Sequence, residues 1–207
     1  MASPPGGREV ELAVDNNKSY EILAGDNFLV IGVTYESSSN QHLTAVTVDG
    51  LDATLVAQAT GSVNGVKAQL WRYNQPTVGA AIVIGGTGSV SSLSWFVAKC
   101  NLAYIPSPVR DSGGHGENTD SIAEDVSSEV TDMAFSCARR DGGNPAYTAV
   151  GDLVQTAEQR DSRLAYRTGA SPTQGFSFGE APDATHVIVA ASIRGPTRAG
   201  GPQGWFG

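Results

Sequence analysis

The sequence predicts an all-β fold: an antiparallel two-sheet β-sandwich of jelly-roll or Greek-key type, built from two pseudo-repeated halves and flanked by irregular arms. Three observations predict it. The second half echoes the first, strand by strand. Apolar and polar residues alternate with a period of two in segments of five to nine residues, the signature of half-buried strands. Glycine accounts for 25 of 207 residues while charged residues make up 16%, a composition suited to a turn-rich β body.

The echo follows one order. The first half runs FLVIGVTY (28–35), LTAVTVDG (43–50), VKAQLWRY (66–73), GAAIVIG (79–85) and SLSWFVAKCNLA (92–103). The second runs MAFSCAR, YTAVGDLV, SRLAYRT, QGFSFGE and THVIVAASIRG. Thr44-Ala45-Val46 aligns with Thr148-Ala149-Val150, Leu70-Trp71-Arg72 with Ala165-Tyr166-Arg167, and Gly79 with Gly175. The drift in offset is what changes of loop length produce, because loop length is thermodynamically cheap. Two strand sets that each leave an apolar face uncovered pack face to face.

Each element has its own warrant. Residues 1–8 form an N-terminal arm containing Pro4 and Pro5, and a single sandwich domain spans 9–194. Val10, Leu12 and Val14 alternate with Glu9, Glu11 and Ala13, so an edge strand covers 9–14, ended by Asp15-Asn16-Asn17, whose side chains bond their own backbone. Residues 28–35 are nearly continuously apolar and mark a central strand. Asp49-Gly50 and Asn64-Gly65 sit between β-branched runs and signal tight hairpins; Gly85-Gly86-Thr87-Gly88 is a third tight connection. Eleven to thirteen strands result. The halves are 9–105 and 128–194, joined by a structureless crossover loop at 106–127 whose Pro, Gly, Ser and acidic content allows at most one helical turn, near 122–125. A C-terminal arm, 195–207, is rich in glycine and proline yet ends on Trp205-Phe206.

Bulk properties exclude several functions. The net charge is −8, and Lys and Arg are scattered singly apart from Arg139-Arg140. Nucleic acid and anionic lipid require clustered cations, so neither is an expected partner. The apolar runs are strand-length, short of the roughly 20 residues of a membrane-spanning helix. The opening MASPPGGREVEL has neither a basic n-region nor an apolar h-region, which predicts cytoplasmic synthesis without a signal peptide. Cys100 and Cys137 lie in apolar, β-like surroundings and read as buried thiols.

Candidate chemistry is sparse. His115 lies in SGGHGENTD, where Glu117, Asn118 and Asp120 offer oxygens of the kind calcium takes, but the spacing is that of an ordinary polar loop and predicts no metal. His42 precedes one strand and His186 begins another. Neither GxSxG nor HExxH occurs, so no nucleophile with its base is identified and no enzyme or cofactor is predicted. Trp71 and Tyr73 share a strand face with Gln69, and with Trp95 they leave open a choice between core and a sugar-stacking platform. Trp95, in SLSWFVAKC, reads as core.

The runs LVIGVTYES, LTAVTVDGLDATLVAQA, QLWRYNQPTVGAAIVI and SSLSWFVAKCNLAYIPSPV together resemble a β-sandwich domain of tailed-phage virion proteins and bacterial surface proteins, over residues 20–193. Members carry comparable strand, hairpin and closing-strand elements; the arms fall outside the pattern. The resemblance implies a non-enzymatic virion protein: a decoration, cement, spike or fibre module on capsid or tail, located in the virion and forming homo-oligomers. Pro4, Pro5, Pro202, Trp205 and Phe206 are the expected docking residues, Trp being a common interface anchor. The alternative it implies is a glycan-binding module for host-surface attachment, using Trp71, Tyr73 and His115.

Overall fold

Residues 28–37 are buried along almost their whole length, as are 133–139 and 184–193. A strand buried on both faces needs a layer on each side of its sheet, and that requirement sets the architecture. The structure, a computed structural model, describes residues 7–13, 17–19, 28–37, 42–61, 65–79, 81–85, 90–100, 106–141, 154–159, 162–168, 172–179 and 184–195. Among them every regular element is a strand.

The first half contains β1 (Gly7–Ala13), β2 (Asn17–Ser19), β3 (Phe28–Ser37), β4 (Ala45–Val48), β5 (Leu51–Asp52), β6 (Thr54–Thr60), β7 (Val66–Asn74), β8 (Ala81–Gly85) and β9 (Val90–Cys100). The second contains β10 (Val109–Thr119), β11 (Ile122–Ser127), β12 (Met133–Arg140), β13 (Val154–Gln159), β14 (Ser162–Thr168), β15 (Thr173–Phe178) and β16 (Ala184–Ile193). All pairings are antiparallel. The inner sheet of the first half has the order β1-β9-β3-β7-β6, and that of the second has β10-β16-β12-β14-β13. These orders correspond strand for strand, which makes the duplication a property of the fold. Each half adds an outer sheet, β2-β8-β4-β5 in the first and β11-β15 in the second.

Four layers follow, with three cores between them. The inner sheets meet over Phe28, Val30, Leu70, Phe96, Phe135, Cys137, Leu164 and Val189. Behind the first inner sheet, Leu29, Ile31, Val33, Tyr35, Trp71, Trp95 and Val97 pack under Val46 and Val48. Behind the second, Ala134, Ala138, Ala165, Ile188 and Ala190 pack under Ile122, Val126, Phe176 and Phe178. The all-β antiparallel sandwich expected from the sequence is therefore present, but each half is itself two-layered rather than a single sheet. Cys100 and Cys137 are buried free thiols and Trp95 is core, as expected.

Four sequence expectations are corrected. The crossover at 106–127 is no loop: β10 and β11 lie there, equivalent in sheet position to β1 and β2, so the second half begins about twenty residues earlier than its apolar pattern indicates. β10 was illegible because it is glycine-rich. A Cβ on Gly116 would stand 2.3 Å from the Thr60 carbonyl oxygen, and close backbone approach is what selects glycine within a strand. Sixteen strands appear among the described residues, more than the expected eleven to thirteen, and β1 already starts at Gly7, inside the arm assigned to 1–8. The alignment of Trp71 with Tyr166 slips by one residue. Leu70 pairs with Gly32 and Leu164 with Cys137, and Gly32 sits against Cys137 and Leu164 across the central core; Leu164 is thus the partner of Leu70, and Ala165 of Trp71. A one-residue slip exchanges faces, which is why Tyr166 borders the central core while Trp71 lies behind its sheet.

The two inner sheets are related by an approximate two-fold axis, with edge β1 beside β13 and edge β6 beside β10. Along β6 and β7 against β10 and β16, Cα atoms of the two sheets come within 8 Å of each other, nearer than the roughly 10 Å usual for facing sheets. Gly61 and Gly116 lie on that side. Polar links reinforce the contact. Thr34 Oγ1 donates to Ser162 Oγ at 2.7 Å, Ser112 Oγ donates to the Val56 carbonyl at 3.1 Å, and the buried Arg139 pairs with Glu36.

Candidate functional site

The outward face of β7 carries Lys67, Gln69, Trp71 and Tyr73 in succession, since alternate residues of a strand share a face. The strand starts fully buried and becomes half-buried over its last three residues. Tyr73 accordingly stands at an opening. There, Leu51 and Asp52 of β5, Thr54 of β6, and Arg72, Tyr73 and Asn74 of β7 line a groove of about 270 Å³. Three features of the sequence produce it. Asp49 and Gly50 both take positive φ, 53° and 75°, closing a two-residue hairpin with Val48 opposite Leu51, the conformation that Asp-Gly favours. β5 is only two residues long, so the chain leaves the outer sheet there and enters β6 of the inner one. The register of β6 on β7 sets Thr54 opposite Arg72.

The groove is chemically mixed. It has one aromatic ring, one carboxylate, one guanidinium, one amide and two hydroxyls, those of Thr54 and Tyr73. Arg72 donates to Asn74 Oδ1 at 3.1 Å, which fixes both side chains and leaves the Asn74 amide N–H groups and further Arg72 N–H groups for other partners. Leu51, 62% exposed, forms the outer lip.

Inward from Tyr73, buried polar atoms lack partners. Trp71 is 5% exposed, and its Nε1–H meets no acceptor; Gln69 Oε1 and Lys67 Nζ are buried without partners too. Such atoms are uncommon, and each requires a reason. Around Lys67 the remaining polar groups are tied together. Gln69 Nε2 donates to the Leu43 carbonyl at 3.1 Å, and the Leu43 N–H donates to Tyr35 Oη at 2.8 Å. His42 lies between two hydroxyls, Tyr35 Oη at 3.3 Å from Nδ1 and Thr60 Oγ1 at 2.9 Å from Nε2. Burial pushes the Tyr35 phenol up to about 12, against the lowering effect of the Leu43 N–H. Burial, and then the nearby Lys67 charge, hold His42 below its usual value. Burial alone lowers Lys67.

The predicted site residues separate. Tyr73 lines the groove and Trp71 is beneath it as core. His115 is elsewhere: it belongs to β10 of the second half, where its Nδ1 lies 2.8 Å from Glu124 Oε2 of β11. The platform of Trp71, Tyr73 and His115 therefore does not assemble, because His115 faces the outer layer of the other half. Pro4, Pro5, Pro202, Trp205 and Phe206 lie outside the described residues. His186 is buried edge-on to Phe178, ring centroids 6.0 Å apart. Among the described residues, no three His, Cys, Asp or Glu side chains converge as metal ligands.

Sequence reasoning missed Asp52, Thr54, Arg72 and Asn74. The available signal was the Asp49-Gly50 turn, which brings Asp52 back beside the end of β7 only if the following strand changes sheets. No family model, curated protein or solved structure matches the chain.

Proposed function

We propose that this chain is a non-enzymatic structural protein of a phage particle, an exterior decoration, cement, spike or fibre module held on capsid or tail by its terminal arms. The observation that carries this reading is the duplicated four-layer body, in which two similar sandwiches fuse through a continuous core. In the first half, the chain passes repeatedly between inner and outer sheets, an alternation that supports a jelly-roll assignment for each half, an architecture used in viral capsids and lectins. The net charge of −8 suits an exterior position away from packaged DNA. Its partners are further copies of itself and capsid or tail proteins, engaged through Pro4, Pro5, Pro202, Trp205 and Phe206; nucleic acid and membranes are not among them.

The test is assembly of particles with a chain lacking residues 196–207. The reading expects a shortened chain with an unchanged thermal transition that no longer sediments with particles. Full attachment of the shortened chain overturns docking through the C-terminal arm, and absence of the intact chain from purified particles overturns the virion assignment. A second reading, a glycan-binding module for host-surface attachment, is favoured by one observation: Tyr73 opens onto a groove lined with hydrogen-bonding side chains.

A further inference from the structure

We infer that the groove between β5, β6 and β7 is a subsite for a neutral, hydroxyl-rich ligand, a single sugar ring of an uncharged glycan. The inference rests on the second reading above and gives it residues and a ligand class. Four observations carry it.

The first is the composition of the wall. A sugar presents an apolar C–H face and a rim of hydroxyls, each both donor and acceptor. Tyr73 supplies a half-buried ring, an amphipathic surface with little rotamer entropy to lose. Asp52 only accepts, Arg72 only donates, and Asn74 and Thr54 do both. That mixture matches adjacent hydroxyls better than it matches an apolar ligand.

The second is charge. Asp52 and Arg72 are the charged residues lining the groove and they cancel. An anionic sugar would meet Asp52 and a cationic one Arg72, so the wall selects neither.

The third is size. At about 270 Å³ the groove falls just below the roughly 300–1,000 Å³ of sites for drug-sized ligands. It accommodates one ring, with the remainder of a chain running out over the exposed Leu51 at its lip.

The fourth is a contrast between the two halves. The equivalent strand of the second half, β14, has Ala165 in place of Trp71, and its Arg167 donates to the Gly175 carbonyl at 2.8 Å. Among the described residues, the first half therefore combines an aromatic ring with an open polar wall at this position, and the second half places Arg167 there instead.

The experiment uses the full chain on a printed array of neutral hexose and N-acetylhexosamine oligosaccharides with sialylated and uronic-acid counterparts. Wild-type, Tyr73→Ala, Tyr73→Phe and Asp52→Ala chains are compared, each with its thermal transition measured. Retention on neutral glycans is expected, reduced at least tenfold by Tyr73→Ala and by Asp52→Ala, and preserved by Tyr73→Phe, which keeps the ring. Neutral glycans retained equally by Tyr73→Ala overturn this subsite while leaving a glycan-binding module standing. Retention of acidic glycans alone overturns the neutral class. Retention of none overturns both the subsite and the glycan reading.

Discussion

On β7, the outward residues after Lys67 are Gln69, Trp71 and Tyr73; on β14, its counterpart, they are Arg163, Ala165 and Arg167. The second row is tied into its surroundings: Arg163 donates to the Ser162 carbonyl at 3.1 Å, and Arg167 reaches Gly175 of the outer strand β15. The same half bonds His115 to Glu124, and holds the buried Asp132 between Arg110 at 2.5 Å and Ser192 at 3.0 Å. In the first row, Lys67, Gln69 and Trp71 all keep unpaired buried atoms, and the row ends in a groove. The same strand order thus supports two different outcomes. Both copies keep buried polar atoms without partners, Lys67 Nζ, Gln69 Oε1 and Trp71 Nε1 in the first and Arg140 Nε and Arg194 Nε in the second; the rows differ in that the β14 row reaches its outer layer through Arg167, whereas the β7 row ends at an open groove.

That contrast has meaning only if the halves fold as one body, and the largest predicted effect tests this. A Cβ on Gly116 of β10 would lie 2.3 Å from the Thr60 oxygen and 2.6 Å from Gly61 Cα, and neither backbone can give way without separating the sheets. Gly116→Val should lower unfolding free energy by about 3 kcal/mol, the upper end for overpacking a tight contact, within a single calorimetric transition. Two resolved transitions in the wild-type chain would break the comparison by making the halves separate units. Gly50→Ala is the control. Its site has open space but a φ of +75°, so only backbone strain of about 1 kcal/mol applies.

Much of this was legible in the sequence and some was not, for physical reasons. The run at 28–35 announced a doubly buried strand, and Asp49-Gly50 announced a hairpin whose positive φ values are present. The echo between halves gave the repeat. β10 was hidden because its residues answer to a neighbouring backbone rather than to a hydrophobic face, so three glycines took the place of apolar alternation. The outer layers were hidden because period two says which residues share a face, not how many sheets cover it. Tyr73 was found as a strand-face aromatic. Asp52 and Thr54 were not, since they reach it only through the switch of the chain from outer to inner sheet.

A pair of substitutions sharpens the comparison at intermediate size. Lys67 is fully buried and its Nζ has no partner. Lys67→Met removes a buried amine and keeps the stem, so stability at neutral pH should rise by about 2 kcal/mol, within the range for relieving an unpaired buried polar group. Arg167→Met removes a donor that the Gly175 carbonyl uses, so stability should fall by about 1 kcal/mol, a typical net hydrogen bond. Opposite signs in chemical denaturation at constant m-value are the expected result. A loss in both variants would show that Lys67 has a stabilising partner, and the contrast between the two rows would disappear.

The smallest effect is in acid titration. His42 in the first half and His186 in the second are both held below the usual histidine value, chiefly by burial. For a group whose folded value is depressed, the unfolded chain takes up a proton first as pH falls. Stability is therefore intact above about 6.5 and declines as pH drops below it. The causes beyond burial differ. His42 is also depressed by the Lys67 charge, whereas His186 is raised by the Ala184 backbone, lowered by Arg140, then raised by the Thr119 backbone and Asp120. Lys67→Met should therefore move the His42 imidazole midpoint upward, towards the ordinary value, and leave His186 where it was. Two-dimensional NMR titration of the ring protons reads both in one sample. Equal movement of the two midpoints would mean that the substitution acts through the whole body, and that the unpaired row on β7 is not a local property of the first half.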